Sequence, residues 1–473
     1  MSGRPFGILA DRSLAIEPSS HQPRLDVSEG DVNLSEARLE FQQRMLDERA
    51  GGLLDRDGRA FLHQSLSTPC MNAIVSARGS TLTDAQGRTI LDFHGNSVHQ
   101  VGHGHPRVIE AVKRQLDELP FCPRRYTNDA AVTLAERLGG LTEGRLHKVL
   151  IAPGGASAMG IAMKLARLAT GRFKFVSMWG SFHGAGLDTI SIGGEEVFRR
   201  GIGPLLPGCE HVPACIPSKC VLGCGGTCSM ACGDQLIDVL RREGDIAAVI
   251  AEPVRCTTVD IPPADYWRRI RAACDRYGAL LVFDEIPTCL GRTGRMFACQ
   301  HFGVEPDIMV IGKGLGGGVF PLAAVLAGER LDVGSHTALG HYTHEKTPVG
   351  SAAAIATLDV IRDERLVEKA AEWGEAWRQE LRTRLMPTGV VREVRGLGLL
   401  IGLEVRAATG ELEHTARLAE RVLYDCLEHG LSFKVSDGRV LTLTPPLTVS
   451  RAELSRATDI LEAALFRCAR SHP

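Results

Sequence analysis

The chain has 473 residues, with 54 basic and 56 acidic side chains and a formal net charge of −2. That balance offers no electrostatic case for nucleic acid or a membrane surface. No stretch approaches the roughly 18 uninterrupted apolar residues of a membrane span, and the start, MSGRPFGILADRSL, lacks a signal-peptide core, so a cytoplasmic protein of more than one domain is expected.

Residues 1–32 are rich in Pro and Ser, show no periodicity and read as an N-terminal arm. Residues 33–49 have helical spacing with a cap at Asn33 or Ser35. From Ala73 to Asp92 short strands are punctuated by Gly79 and Gly87, and the segment 33–94 is expected to join the smaller domain. The loop over 95–106 is dense in Gly and His. His99, His103 and His105 invite a metal reading, but their spacing favours a packed loop. A helix follows from Pro106 to Leu119.

Between Asp129 and Asp307 helices (129–139, 156–169, 234–243, 265–277) alternate with apolar strands (147–152, 173–178, 187–192, 247–252, 279–284). This alternation predicts an α/β fold with a large, mainly parallel sheet covered on both faces. That large domain is placed at 95–347, with a Cys-rich insertion at 209–232. Beyond Pro348, amphipathic helices (349–362, 366–385, 414–429, 451–467) and strands (390–395, 398–405, 440–443) predict a smaller α+β domain over 348–473.

Two strand ends carry chemistry. The run Ala279–Phe283 ends on Asp284 and Glu285, and the run Ile308–Ile311 stops at Gly312-Lys313-Gly314. Open α/β sheets bind ligands at such ends. A lysine among glycines suits an amine that forms a Schiff base. An acid on the next strand can hold a proton on a heteroaromatic nitrogen. Together they describe pyridoxal 5'-phosphate. The turn Ala152–Ala158 puts Gly154, Gly155 and Ala156 before a helix, where free N–H groups suit a phosphate. Taken alone, two such glycines more often mark only a tight turn. Phe182, after the next strand, can lie over a flat ring or belong to the core.

These motifs resemble the class III, omega-type, PLP-dependent aminotransferases of fold-type I, from about Ala73 to the last helix. The likeness rests on GHGHP at 102–106, PGGASA at 153–158, Phe182-His183-Gly184, Glu252-Pro253-Val254, LLVFDEIPTCLGRTG at 280–294, GKGLGGG at 312–318, VRGLGLL at 394–400 and PPLTVS at 445–450. The resemblance implies that Gly154, Gly155 and Ala156 bind the cofactor phosphate, that Phe182 and His183 meet its ring, and that Glu252 belongs to the same site. It further implies that Asp284 pairs with the pyridine nitrogen and that Lys313 is the Schiff-base lysine. Thr343 would reach the phosphate of a neighbouring subunit, making a homodimer or a tetramer.

Several positions depart from that family. Pro287 replaces a Gln that contacts the cofactor, Arg255-Cys256 replaces Gln-Gly, and Thr442 replaces an Arg that grips an α-carboxylate. RYTNDAAVTLAERL at 125–138 is similar to members that include phospho-lyases. Arg125, Arg255 and Lys346 are candidates for an anionic substrate group. The leading expectation is amino-group transfer from a primary amine to a keto acid. The alternative is an ammonia- or phospho-lyase acting on an aminoalkyl phosphonate or phosphate such as a hydroxy-aminoethylphosphonate. A third reading, from another class, is a catalytically idle binding protein. Of the fourteen cysteines, Cys274, Cys289, Cys299 and Cys426 read as core residues. Cys209, Cys215, Cys220, Cys224, Cys228 and Cys232 lack close CxxC hooks, so free thiols are expected over zinc and no metal ligand is assigned.

Overall fold

The computed structural model describes residues 35–65, 67–68, 70–224 and 228–470, so the expected arm and the alternative cap Asn33 lie outside it. Ser35 caps α1 (Glu36–Met45), its hydroxyl accepting from the Arg38 N–H at 3.2 Å. The helix expected over 33–49 is two helices, because Asp47 accepts from the Ala50 N–H at 2.8 Å and starts α2 (Glu48–Ala60). A meander of β1 (Ile74–Arg78), β2 (Thr81–Asp84) and β3 (Thr89–Asp92) follows, then α3 (Pro106–Glu118) and α4 (Asp129–Gly140).

The alternating region contributes β4 (Lys148–Ala152), α5 (Gly155–Thr170), β5 (Lys174–Met178), α6 (Leu187–Ile192), α7 (Glu196–Arg199), β6 (Cys209–Val212), α8 (Ala231–Glu243), β7 (Ile246–Ala251), α9 (Ala264–Tyr277), β8 (Leu280–Asp284), β9 (Ile308–Ile311) and β10 (Ala323–Ala327). The remainder is α10 (Pro348–Asp363), α11 (Leu366–Leu385), β11 (Val391–Leu397), β12 (Leu400–Val405), α12 (Leu412–Glu428), β13 (Leu431–Ser432), β14 (Lys434–Ser436), β15 (Val440–Leu443) and α13 (Arg451–Arg470).

Seven strands form the central sheet in the order β4-β10-β9-β8-β7-β5-β6. All pairs are parallel except those made by β10. Strands β7 to β10 are buried along their whole length, which is why they read as continuous apolar runs. Successive side chains go to opposite faces: Leu280 and Val282 pack on the α5 side, Leu281 and Phe283 on the other. There Phe283 meets the α9 ring of Trp267 edge-on at 5.0 Å.

The strand expected at 187–192 is instead the helix α6. The Gly186 N–H donates to Thr189 Oγ1 (2.9 Å) and the Ser191 hydroxyl to the Leu187 carbonyl (2.5 Å), side-chain bonds that close helical turns. A short apolar run cannot distinguish the two states by periodicity. The sheet is completed by β6, inside the Cys-rich stretch, parallel to β5. A second sheet, β11-β12-β15-β14, lies in the C-terminal part. The third, β1-β2-β3-β13, joins the chain's two ends: β13 pairs parallel with β3, Leu431 opposite Leu91. Backbone bonds from the Thr444 N–H to Phe93 O (2.7 Å) and from the Leu447 N–H to Gln100 O (2.8 Å) extend that junction.

Candidate active site

A cavity of about 670 Å³ opens where β4, β8 and β9 end and β10 begins. Its walls include Gly154, Gly155 and Ala156, Phe182 and His183, Glu252, Asp284 and Lys313, so eight of the predicted residues come together. The loop His94–Val98 and the C-terminal residues Lys434, Thr442 and Thr444 close it.

Asp284 is the last residue of β8 and is 2 % exposed. One carboxylate oxygen accepts from His183 Nδ1 at 2.8 Å and the other from the Ile286 N–H at 3.0 Å. His183 is buried as well, with its Nε2 3.4 Å from the Ser177 hydroxyl. The carboxylate is thus held in one orientation by two donors that stay in place. Lys313 follows β9 with a left-handed φ of +47°, a conformation an L residue keeps only where its surroundings impose it. The neighbouring Gly314 is required by contact, since a Cβ there would lie 1.9 Å from the Gln100 side chain.

Helix α5 starts beside the cavity without a side-chain cap. Its first intrahelical bond, from the Ala158 N–H to Gly154 O (3.0 Å), leaves the N–H groups of Gly155, Ala156 and Ser157 for another acceptor. Gly184 presses on this turn: a Cβ there would meet the Ala156 Cβ at 2.6 Å. Three N–H groups at the positive end of a 16-residue helix fit a phosphate. Glu252 accepts from the Phe182 N–H (3.4 Å) and the Cys256 N–H (3.2 Å), pinning the loop that carries Phe182. With Asp284 and Lys313 opposite, the donor set fits pyridoxal phosphate.

Four predicted residues lie elsewhere. Thr343, Arg125 and Lys346 are exposed and line no part of the cavity. Arg255 pairs with Glu195 and stands 3.7 Å from Glu252, facing a smaller adjoining pocket. Sequence reasoning missed His94, Thr257 and Lys434, and it met Cys256 only as a departure from the family motif. Lys434 carried one signal, a lone lysine between Phe433 and Val435. Thr442 donates to the Thr257 carbonyl at 2.5 Å. Burial first, then Lys434, pushes His94 down to about 4, so its imidazole is neutral at pH 7.

Asp92, His99 and His103 also cluster, but through their own hydrogen bonds. His103 Nε2 lies 2.8 Å from an Asp92 carboxylate oxygen, and His99 Nε2 3.0 Å from the Asp92 carbonyl. Asp92 also accepts from the His94 and Gly95 N–H groups, so it organises the cavity loop.

Residues 63–465 match the family model Aminotransferase class-III. The chain is 45 % identical over 457 residues to an (R)-1-hydroxy-2-aminoethylphosphonate ammonia-lyase of Vibrio splendidus, spanning 93 % of this chain and 95 % of that one. It is 35 % identical over 386 residues to an acetylornithine aminotransferase of Methanothermobacter thermautotrophicus, spanning 81 % and 91 %. An amine transaminase from an uncultivated Pseudomonas species, solved with pyridoxal phosphate bound, superposes with a TM-score of 0.80 at 33 % identity, over 86 % of this chain and 99 % of that one.

Proposed function

This chain belongs to the class-III aminotransferase family of pyridoxal-phosphate enzymes, and from that premise we propose that it is an ammonia-lyase for a short amine bearing a neighbouring hydroxyl and a phosphonate. The observation that carries this reading is the wall holding Thr442. Family members that grip an α-carboxylate place an Arg there, whereas here the position is a threonine tied to the Thr257 carbonyl. Among the described residues no arginine lines the cavity, and its lysines are Lys313 and Lys434. A 45 % identical relative carries the same activity in its name.

Bound pyridoxal phosphate supplies an electron sink for charge developing on the amine-bearing carbon. The N–H groups of Gly155, Ala156 and Ser157 would hold its phosphate, Phe182 would meet its ring, and Asp284 would hold a proton on the ring nitrogen. Lys313 takes the proton from the amine-bearing carbon and protonates the hydroxyl as it leaves. Lys434 binds the phosphonate by charge. Arg255, engaged by Glu195 and Glu252, steadies the acid that holds the Phe182 loop. Water completes the reaction, giving an aldehyde and ammonia with no acceptor consumed.

Amino-group transfer, the leading expectation from sequence, is the second reading. It is supported by the acetylornithine aminotransferase relative and by the Lys313–Asp284 pair, which serves either outcome. The test is incubation with (R)-1-hydroxy-2-aminoethylphosphonate and no keto acid. Equimolar aldehyde and ammonia are expected, and strict dependence on a keto acid would refute the lyase. Turnover of any amine excludes the idle reading.

We assign a homodimer, supported by Thr343, which matches the family's phosphate-reaching threonine yet is exposed and lines no part of its own chain's cavity. Arg125 and Lys346, also exposed, act on substrate only if they too face the neighbour's cavity. The division into a large domain at 95–347 and a smaller one at 348–473 joined by 33–94 is supported by the β3–β13 pairing. A cytoplasmic location is supported by fourteen cysteines, all free, and among the described residues no helix is long and apolar enough to cross a membrane.

A further inference from the structure

The loop His94–Val98 closes the cavity, yet the groups that hold cofactor and phosphonate leave its side chains unused. Its backbone has an uncommon shape. Gly95, Asn96 and Ser97 follow one another with φ of +45°, +45° and +56°, a run that persists only where the surroundings impose it. They do so from two sides. Asp92 accepts from the His94 N–H at 3.0 Å and the Gly95 N–H at 2.8 Å, and the Thr444 hydroxyl lies 3.1 Å from the His94 carbonyl, to which it donates. His94 is therefore fixed at both its backbone N–H and its carbonyl, while among the described residues its ring has no hydrogen-bond partner.

Most other polar side chains of the wall are engaged. His183 meets Asp284, Glu252 accepts from two loop N–H groups, and the Thr442 and Thr444 hydroxyls donate to backbone carbonyls. The charges that act on His94 are, in order, those of Lys434, Asp92, His99 and Lys313, so its ring stands near both cavity lysines. The substrate chemistry needs a group at that place. In a short amine of the proposed class, the amine carbon reaches Lys313 and the phosphonate reaches Lys434. The carbon that joins them bears the hydroxyl and so lies between the two lysines. A charged lysine only donates, whereas a neutral imidazole has one ring nitrogen that accepts. Burial and Lys434 keep this imidazole neutral at pH 7.

Resting on the ammonia-lyase reading, we propose that His94 accepts the hydrogen bond of the substrate hydroxyl and so selects amines that carry one, in one configuration. With the O–H held by His94, the oxygen lone pairs stay free for the Lys313 proton. The C–O bond breaks with its electron pair on oxygen, Lys313 protonates that oxygen, the pair of the broken C–H bond becomes a carbon–carbon double bond, and water departs.

The test compares (R)-1-hydroxy-2-aminoethylphosphonate with 2-aminoethylphosphonate, which lacks the hydroxyl, by the change in cofactor absorbance as each binds the holoenzyme without keto acid. In wild type the hydroxylated amine should bind about tenfold more tightly. His94→Phe should lose that advantage and the preference between the two hydroxyl configurations, with affinity for 2-aminoethylphosphonate and for cofactor kept within about twofold. His94→Gln, whose amide oxygen still accepts, should keep part of the advantage. No advantage in wild type, equal losses for both amines in His94→Phe, as a merely structural residue would give, or an undiminished advantage in that variant would overturn the proposal. If His94→Phe does not fold, the same comparison in His94→Ala decides. Absorbance reads binding before any carbon–oxygen bond breaks, so a protein that only transaminates, which refutes the lyase, still shows whether His94 discriminates.

Discussion

Replacing Asp284 by Asn separates the shape of its site from its charge. An asparagine oxygen can still accept from the Ile286 N–H, now made at 3.0 Å. Its amide then faces His183 Nδ1, which must become an acceptor, and the ring proton moves to Nε2, where the Ser177 hydroxyl at 3.4 Å can receive it. The His183 and Ile286 donors both keep a partner. Asp284→Ala instead leaves the His183 and Ile286 donors buried and unpaired, at about 1–3 kcal/mol each. At about 2 cal/mol/K per residue, this chain unfolds with an entropy near 1 kcal/mol/K, so Asp284→Ala should melt about 2–6 °C lower and Asp284→Asn within about 1 °C of wild type. Activity should behave otherwise. A unit charge about 4 Å from a partner at an effective dielectric of 20 amounts to about 4 kcal/mol, so Asp284→Asn should lose about a thousandfold in kcat. Melting of the cofactor-stripped proteins and single-turnover rates read the two effects separately. Equal melting losses in both variants would refute the tautomer exchange, and near-normal kcat in Asp284→Asn would refute the charge.

Lys434→Gln removes a charged partner for the phosphonate, so KM for a phosphonate amine should rise about 10–100-fold with cofactor binding unchanged. Steady-state kinetics with phosphonate and uncharged amines compares the two. Gly184→Ala combines a φ of +121° with a Cβ 2.6 Å from Ala156, so the start of α5 must shift. Cofactor affinity should fall by about 1–3 kcal/mol, measured by equilibrium titration. His94 is held at about 4 when folded, so between roughly pH 6.5 and 4 the unfolded chain binds a proton that the native state excludes. Stability should therefore fall as pH drops through that window, by up to about 3 kcal/mol from this group, and melting curves of His94→Asn should fall less steeply.

The parts of the fold that read directly from sequence are those with two buried faces. Strands β7, β8 and β9 appear as unbroken apolar runs, so the polar residue ending each run, including Asp284, and Lys313 just beyond β9 stood out. Shorter or mixed elements did not. Strand β6 reads Cys-Glu-His-Val and has no apolar pattern, while α6 has six residues that fit either period. Lys434 was passed over because its strand is only three residues long, and it is the antiparallel pairing with β15 that sets it opposite Thr442 on the cavity wall. Thr343, Arg125 and Lys346 show a different limit. A motif names a residue but does not place it on the wall of its own chain's cavity.

The pairing of β3 with β13 has a consequence during synthesis. Phe93, which receives the Thr444 hydroxyl, lies 351 residues before it. At about 5–20 residues per second, a ribosome needs roughly 18–70 s to make that stretch. Throughout that interval the N-terminal meander waits with an open strand edge and Leu91 uncovered. The cavity loop His94–Val98 also has nothing to close against. A chaperone that shields this nascent segment would therefore act before any active site exists, and a protein truncated before Leu431 should aggregate through that edge.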